Sequence, residues 1–299
     1  MLLGIDFHNP EVNWSMPSLQ FMRCPKRCSK NTLQLTKGLK PDYIKPFQHL
    51  FEKKNFHKLP IHCKWDHKIN LTEDTPASIP ARLYRMTLVE QEAVDQFVED
   101  ELKAGKIRES KSPYTSPCFF IAKKDGSRRL VQDYRKVNAF TVKDKTLLPC
   151  IDNLLDVLED RKLFTKMDII WGYNNVRIKE GHEWKATFLT PKGLFEPTVM
   201  YFGLCNLPGT FMHMMQTIFC DMIRQWKCAI YMDDLIFKGK TKEELRRNTL
   251  EGLEILAKHD LYIKESKCYW EVEEVPVLGH IVSKGRLRME ATKVKTILE

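Results

Sequence analysis

Apolar and polar positions along the chain follow helical stripes in some stretches and strand-like runs in others, which together predict an α+β fold. Thr87-Leu88-Val89-Glu90 has the spacing of a capping box, and Val94, Phe97, Val98 and Leu102 keep one face apolar until Gly105, so a helix is predicted over about 88–104. Cys118 to Lys123 and Arg129 to Tyr134 are two short apolar-basic runs separated by Asp125-Gly126, a hairpin signal. A helix over about 151–159 rests on Leu154, Leu155 and Leu158, and a strand over 163–169 follows, carrying Asp168. Strand-like runs come next at 175–178, 185–190 and 196–200. A long helix then begins near Asn206 with Pro208 in its first turn; its stripe of Phe211, Met214, Met215, Ile218, Phe219, Met222 and Ile223 has core spacing. Cys228 to Phe237 reads as a second hairpin, two apolar runs joined at Asp233-Asp234. A helix over about 242–259 on Leu245, Leu250, Leu253 and Leu256, with strands near 261–263 and 277–282, closes the chain. Residues 1–68 hold six prolines and no sustained period, and read as an irregular leader and linker.

This order predicts a split βαβ sheet with helices on one face. In such a sheet the end of the Asp168 strand and the tip of the Asp233-Asp234 hairpin lie side by side. Adjacent carboxylates inside apolar sequence repel each other and lose hydration, which favours a positive partner. Hard oxygen donors suit Mg²⁺. Two aspartates also serve as an ordinary solvated hairpin turn, and the tetrapeptide alone does not separate the two uses.

Composition narrows the setting. The 299 residues are 43% hydrophobic, as in a soluble globular protein. No apolar run approaches 18 residues and no secretory leader is visible, so an intracellular protein is expected, cytoplasmic or nuclear, not secreted and not membrane-bound. Nine scattered cysteines fit reduced thiols, and Cys24 and Cys28 with the nearby histidines match no zinc module. The net charge of +9 sits in residues 20–68, where twelve Lys and Arg stand against three Asp and Glu. That segment serves either as a phosphate-neutralising arm or as a solvated linker.

Six motifs in order carry a closer resemblance. They are F-F-I-A-K-K-D-G-S-R-R-L-V-Q-D-Y-R-K-V-N (Phe119 to Asn138), F-T-K-M-D-I-I-W-G-Y-N-N-V-R-I-K (Phe164 to Lys179), F-G-L-C-N-L-P-G-T-F (Phe202 to Phe211), Y-M-D-D (Tyr231 to Asp234), L-Y-I-K-E-S-K-C (Leu261 to Cys268) and L-G-H-I-V (Leu278 to Val282). From about Leu59 onward the chain resembles the reverse transcriptase of gypsy-class long-terminal-repeat retrotransposon polyproteins. Leu3-Gly4-Ile5-Asp6 and His8-Asn9-Pro10 look like the tail of the retropepsin-like protease that precedes it. The resemblance implies a right-hand polymerase fold with a ferredoxin-like palm and the thumb largely missing. Its parts would be a basic leader with the protease-tail remnant over 1–68, fingers over 69–150, palm over 151–276 with a finger insertion at about 184–200, and a truncated palm–thumb junction over 277–299.

The family's roles carry over by motif position. Asp168, Asp233 and Asp234, with the Ile169 carbonyl, would hold two Mg²⁺ ions, for which Mn²⁺ can substitute. Lys123 and Arg129 would meet the triphosphate of a deoxynucleoside triphosphate (dNTP). Tyr173 would be the steric gate against a ribose 2′-OH, with Phe202 and Gly203 flanking the sugar. Tyr231, Met232, Leu207 and Pro208 would touch primer or template, and Lys267, with Lys264 as its rival, would give a proton to the leaving pyrophosphate. The implied partners are an RNA template, a DNA primer, their RNA–DNA hybrid and dNTPs. The alternative is an inactive retroelement remnant that at most binds nucleic acid; an RNA-synthesising polymerase is disfavoured by Tyr173. The chain departs from the family at Tyr201, where proline is usual, and at Leu207, whose bulk is expected to crowd the template. Lys238-Gly239 arrives one place early, so the return strand of the acidic hairpin is expected to fray.

Overall fold

A computed structural model of the chain, which describes residues 11–13, 21–22, 37–122, 128–145, 149–159 and 161–290, turns these patterns into strands and helices. In chain order the elements are β1 (Glu11–Asn13), β2 (Phe21–Met22), α1 (Leu88–Lys103), β3 (Ile107–Glu109), β4 (Ser116–Ala122), β5 (Arg128–Gln132), α2 (Arg135–Ala139), α3 (Ile151–Glu159), β6 (Leu163–Asp168), β7 (Phe188–Thr190), β8 (Gly193–Pro197), α4 (Leu207–Ile218), α5 (Cys220–Arg224), β9 (Cys228–Tyr231), β10 (Asp234–Gly239), α6 (Lys242–Lys258), β11 (Tyr269–Val272), β12 (Glu274–Val277), β13 (His280–Ser283) and β14 (Arg286–Met289). The chain divides into two compact units: Met1–Glu52 with Pro149–Ile170 and Met215–Glu299, and Lys53–Leu148 with Trp171–Met214. No described helix is long and apolar enough to cross a membrane.

The first unit is built on a four-stranded antiparallel sheet in the order β11-β6-β10-β9. Successive residues of a strand point to opposite faces. Ile236 of β10 accordingly packs with Leu154, Leu155, Leu158 and Phe164, while Phe237 lies against Gly252 of α6. Helices α3 and α6 therefore cover opposite faces of this sheet; α3 precedes β6 and stands outside the strand, helix, hairpin, helix, strand order from which the split βαβ sheet was expected. The return strand does not fray. Residue for residue, β10 pairs with β6 from Asp234 to Gly239, and Lys238 is buried, its ammonium donating to the Val157 carbonyl.

Two further sequence expectations change in this unit. The strand expected over 277–282 is the corner of a meander: Leu278 and Gly279 have φ of 51° and 80°, and they turn β12 into β13. Of the strand expected at 261–263, a single bridge from Ile263 to Ile169 forms, and β11 takes its place in the sheet. The stretch read as an irregular leader also has structure. Asp42–Phe51 forms 3-10 turns around Pro46 that bury Ile44 and Leu50, and the Leu50 carbonyl accepts from Ile263 N at 2.9 Å. Just before it, the Lys37 carbonyl accepts from Trp270 N at 2.7 Å, laying the chain along the outer strand β11. A second sheet, β12-β13-β14-β1-β2, joins the meander to residues 11–13 and 21–22. The protease-like residues 3–10 lie outside the described residues.

The second unit holds a five-stranded sheet in the order β3-β8-β7-β4-β5, antiparallel except where β4 meets β7. The expected capping box forms, Thr87 and Glu90 each accepting from the other's backbone N–H, and α1 runs from it. Its buried face differs from the stripe in the sequence. Leu102 is exposed, while Glu101 is buried and accepts from the Tyr201 hydroxyl, so Tyr201, where the resemblance led proline to be expected, has a buried polar partner. Of the three strands expected between 175 and 200, the first is reduced to two isolated bridges, Arg177 to Val199 and Ile178 to His67, the second begins only at Phe188 after a 3-10 turn, and the third ends at Pro197. The Asp125-Gly126 turn and Lys123 lie outside the described residues, but β4 and β5 pair in register up to Ala122 and Arg128.

Candidate active site

Strands β6 and β10 are neighbours, and their register sets Asp168 opposite Asp234. Directly opposed residues in an antiparallel ladder have Cα atoms about 4.5–5.5 Å apart. Asp233 occupies the turn just before β10, where its carbonyl accepts from Ile169 N at 3.0 Å and ties the turn to the end of β6. The bend is made at Met232, whose φ is 54°; Tyr231 closes β9 opposite Asp234. Past β6 the backbone stays anchored, with Lys264 N donating to the Asp168 carbonyl at 2.9 Å and Ile170 N to the Tyr262 carbonyl at 2.8 Å.

Like charges directly opposed on a sheet destabilise it. Here two ammonium groups answer them. Lys267 Nζ stands 2.7 Å from Asp168 Oδ2, and Lys166 Nζ stands 2.9 Å from Asp234 Oδ2. Lys264 presents its backbone N–H to Asp168, so of the two rival lysines it is Lys267 whose ammonium reaches a carboxylate. Asp168 is 9% exposed. Burial pushes the Asp233 carboxyl above the ordinary range, and the charges of Asp168 and Asp234 push it the same way. Burial likewise raises Asp234, against the pull of Lys166.

The second unit gathers another group of predicted residues. Tyr173, in a 3-10 turn at Gly172–Asn175, meets the Phe202 ring edge-on at a centroid distance of 5.0 Å and Phe211 at 5.7 Å. The Arg129 guanidinium lies over the Phe202 ring, 4.9 Å from its centroid. Gly203 follows with φ of 100°, and a Cβ there would stand 3.0 Å from the Gln132 carbonyl, so the loop passes β5 as only glycine allows. Tyr173, Phe202, Gly203 and Arg129 thus form one cluster of aromatic faces with a cation on top. Pro208 is half-buried in the first turn of α4. Leu207 corrects an expectation: it is 2% exposed, packed inside the protein and not presented to a template.

The sequence pattern of the reverse transcriptase (RNA-dependent DNA polymerase) family matches residues 121–282, more than half of the chain. The chain belongs to the reverse transcriptase family. Among its relatives are the Transposon Tf2-3 and Tf2-7 polyproteins of Schizosaccharomyces pombe, each 31% identical over 247 residues, 82% of this chain and 18% of theirs. The chain therefore spans about a fifth of the length of these relatives. Its fold is similar to foamy viral protease-reverse transcriptase solved in complex with RNA/DNA hybrid (TM-score 0.73, 20% identity, 86% of this chain and 34% of that one). A second structure of that protein, in complex with dsDNA, gives a TM-score of 0.75 at 20% identity over 86% of this chain and 52% of that one.

The acidic corner of this reverse transcriptase domain opens on a cavity of about 470 Å³ lined by Lys37, Lys166, Asp168, Asp234, Lys267 and Tyr269. Its donors are carboxylate oxygens, the set that suits Mg²⁺ or Mn²⁺. Among the described residues, however, no three acidic, histidine or cysteine side chains converge into a ready-made cage. The physical reason is visible in the ion pairs: Asp168 and Asp234 each turn an oxygen to a lysine. The carboxylates fit a cation in donor type, and the ammonium groups of Lys267 and Lys166 supply positive charge beside them.

Two residues here were not singled out from the sequence. Lys166 precedes Asp168 by two positions, and alternation along β6 places it on the same face. Asn138 ends the first motif; its Nδ2 donates to the Gly203 carbonyl at 2.7 Å and its Oδ1 accepts from Cys205 N at 2.7 Å, fixing the loop that carries Phe202.

Proposed function

We propose that the chain is an RNA-directed DNA polymerase that extends a DNA primer on an RNA template by phosphoryl transfer from dNTPs. The observation that carries this reading is the register of Asp168 against Asp234 with Asp233 in the adjoining turn. Asp168, Asp233, Asp234 and the Ile169 carbonyl would hold two divalent ions, Mg²⁺ or Mn²⁺. Bound there, the ions would supply Lewis-acid activation of the primer 3′-hydroxyl and neutralise the triphosphate. Phosphoryl transfer needs positioning and charge stabilisation more than a covalent protein group, so carboxylates and cations suffice. Lys267, once Asp168 is engaged elsewhere, has an exposed ammonium free to give a proton to the departing pyrophosphate. In the second unit, Arg129 would meet the phosphates, Tyr173 would exclude a 2′-OH, and Phe202 and Gly203 would seat the sugar. Tyr231 and Met232 at the hairpin tip would meet the primer end, with Pro208 near the template.

A second reading, a chain that binds nucleic acid without turnover, is favoured by the lysines already seated on two of the three carboxylates. Primer extension on a primed RNA, with purified protein titrated with Mg²⁺, separates the two. Extension that is abolished by Asp168→Ala supports the polymerase. No incorporation at any Mg²⁺ or Mn²⁺ concentration, with the RNA still bound, selects the silent reading.

A further inference from the structure

The two lysines at the acidic corner are not equivalent. The Lys267 side chain is 53% exposed and can swing into solvent when its carboxylate is taken. Lys166 cannot: its side chain is 12% exposed, and its ammonium is shared between Asp234 Oδ2 at 2.9 Å and the Pro276 carbonyl at 2.9 Å. The register places Lys166 opposite Ile236 and Asp168 opposite Asp234, so Lys166 reaches Asp234 diagonally on one face of the sheet. The Pro276 acceptor gives the ammonium a place to stay after it releases the carboxylate, close to whatever replaces it. We propose that Lys166 is the resident counter-ion of Asp234, holding that carboxylate while no cation is present and competing with a divalent cation for it. Lys166 thereby sets the affinity of the corner for the ion. It is a positioning residue, and the proposal rests on the reading of Asp168, Asp233 and Asp234 as ion ligands.

The competition predicts that removing the lysine charge tightens ion binding. A unit charge a few ångströms from the ion, screened by partial solvent access, corresponds to about tenfold or more in affinity. The test is binding of Mn²⁺ alone to the full chain, read by electron paramagnetic resonance of the free ion. The proteins compared are wild type, Lys166→Met, Lys166→Arg and the double variant Asp233→Asn with Asp234→Asn. The expected result is tighter Mn²⁺ binding by Lys166→Met, near-wild-type binding by Lys166→Arg and weak binding by the double variant. Equal affinity in wild type and Lys166→Met, with the double variant still weak, overturns the role of Lys166 and leaves the ion site standing. Binding in wild type and Lys166→Met no stronger than in the double variant overturns the ion site itself and the competition with it. Melting temperature gives a second readout that does not depend on catalysis. Lys166→Met should melt lower than wild type in chelator and gain more from Mn²⁺, since a tighter ligand stabilises more; an equal or smaller gain counts against the proposal.

Discussion

Gly252 lies in the middle of α6, where alanine would ordinarily be the better residue by about 1 kcal/mol. The substitution Gly252→Ala is nonetheless expected to destabilise the protein. An added Cβ would stand 2.2 Å from Phe237 Cε1 and 2.3 Å from Cζ, and the Phe237 ring is fully buried. Carbon atoms settle at about 3.5–4.0 Å, so the ring or the helix must move by more than an ångström in a packed layer. Forced overpacking of this kind costs about 1–3 kcal/mol, and a clash this deep belongs at the upper end. Subtracting the helix gain leaves a net loss of about 2 kcal/mol. Equilibrium urea unfolding of the ion-free protein measures it. In a Phe237→Leu background the added methyl meets a smaller side chain, so the same substitution should cost little, giving a coupling of about 1–2 kcal/mol between the two sites. A Gly252→Ala protein as stable as wild type, or two substitutions that simply add, would refute the close seating of α6 on β10. That seating matters to the site because β10 is the strand that starts with Asp234.

Three further outcomes follow from the site. Asp233→Asn should abolish Mg²⁺-dependent primer extension, yet in chelator at pH 7 it should be more stable than wild type. The sign comes from the raised Asp233 carboxyl: the folded state holds this proton more tightly than the unfolded state does, so stability is lost as pH rises from about 4, the unfolded value, through the folded one. The variant's advantage in urea midpoint should therefore vanish below about pH 4, where the carboxyl is protonated in both states. Asn138→Ala removes both bonds to the Gly203–Cys205 loop, each worth about 1 kcal/mol, and should lower kcat/KM for dNTP by about tenfold, chiefly through KM in steady-state extension. Tyr173→Val should shift the ratio of ribonucleotide to deoxynucleotide incorporation by about tenfold or more, read by extension with each nucleotide alone.

The sequence showed these elements where a local rule and the tertiary structure agree. The capping box at Thr87, the leucine face of α6 and the apolar runs of β9 and β10 each name their element without outside help. Pattern misled where one residue reverses the backbone inside an apolar run, as at Leu278-Gly279, or where a proline hides order, as at Pro46. The meeting of Asp168 with Asp233 and Asp234 was legible from the order of the strands, and adjacent acids inside apolar sequence singled out the hairpin that carries two of them. Lys166 was not, because a lysine in a strand reads as a solvated edge until the strand's neighbours are known; counting back two positions from Asp168 was the signal available. Leu207 carried the opposite lesson: a bulky residue in a functional motif was read as a contact, but it is core.

Pairing of Lys37 with Trp270 has a practical corollary for anyone who dissects this chain. The family pattern covers residues 121–282, and a fragment trimmed to it would keep Asp168, Asp233 and Asp234 while discarding the stretch that shields the rim of β11. A bare rim of unpaired amides is a template for sticking to other molecules. Solubility of shortened versions should thus be governed by whether they retain the residues around 37–51, far upstream of the chemistry.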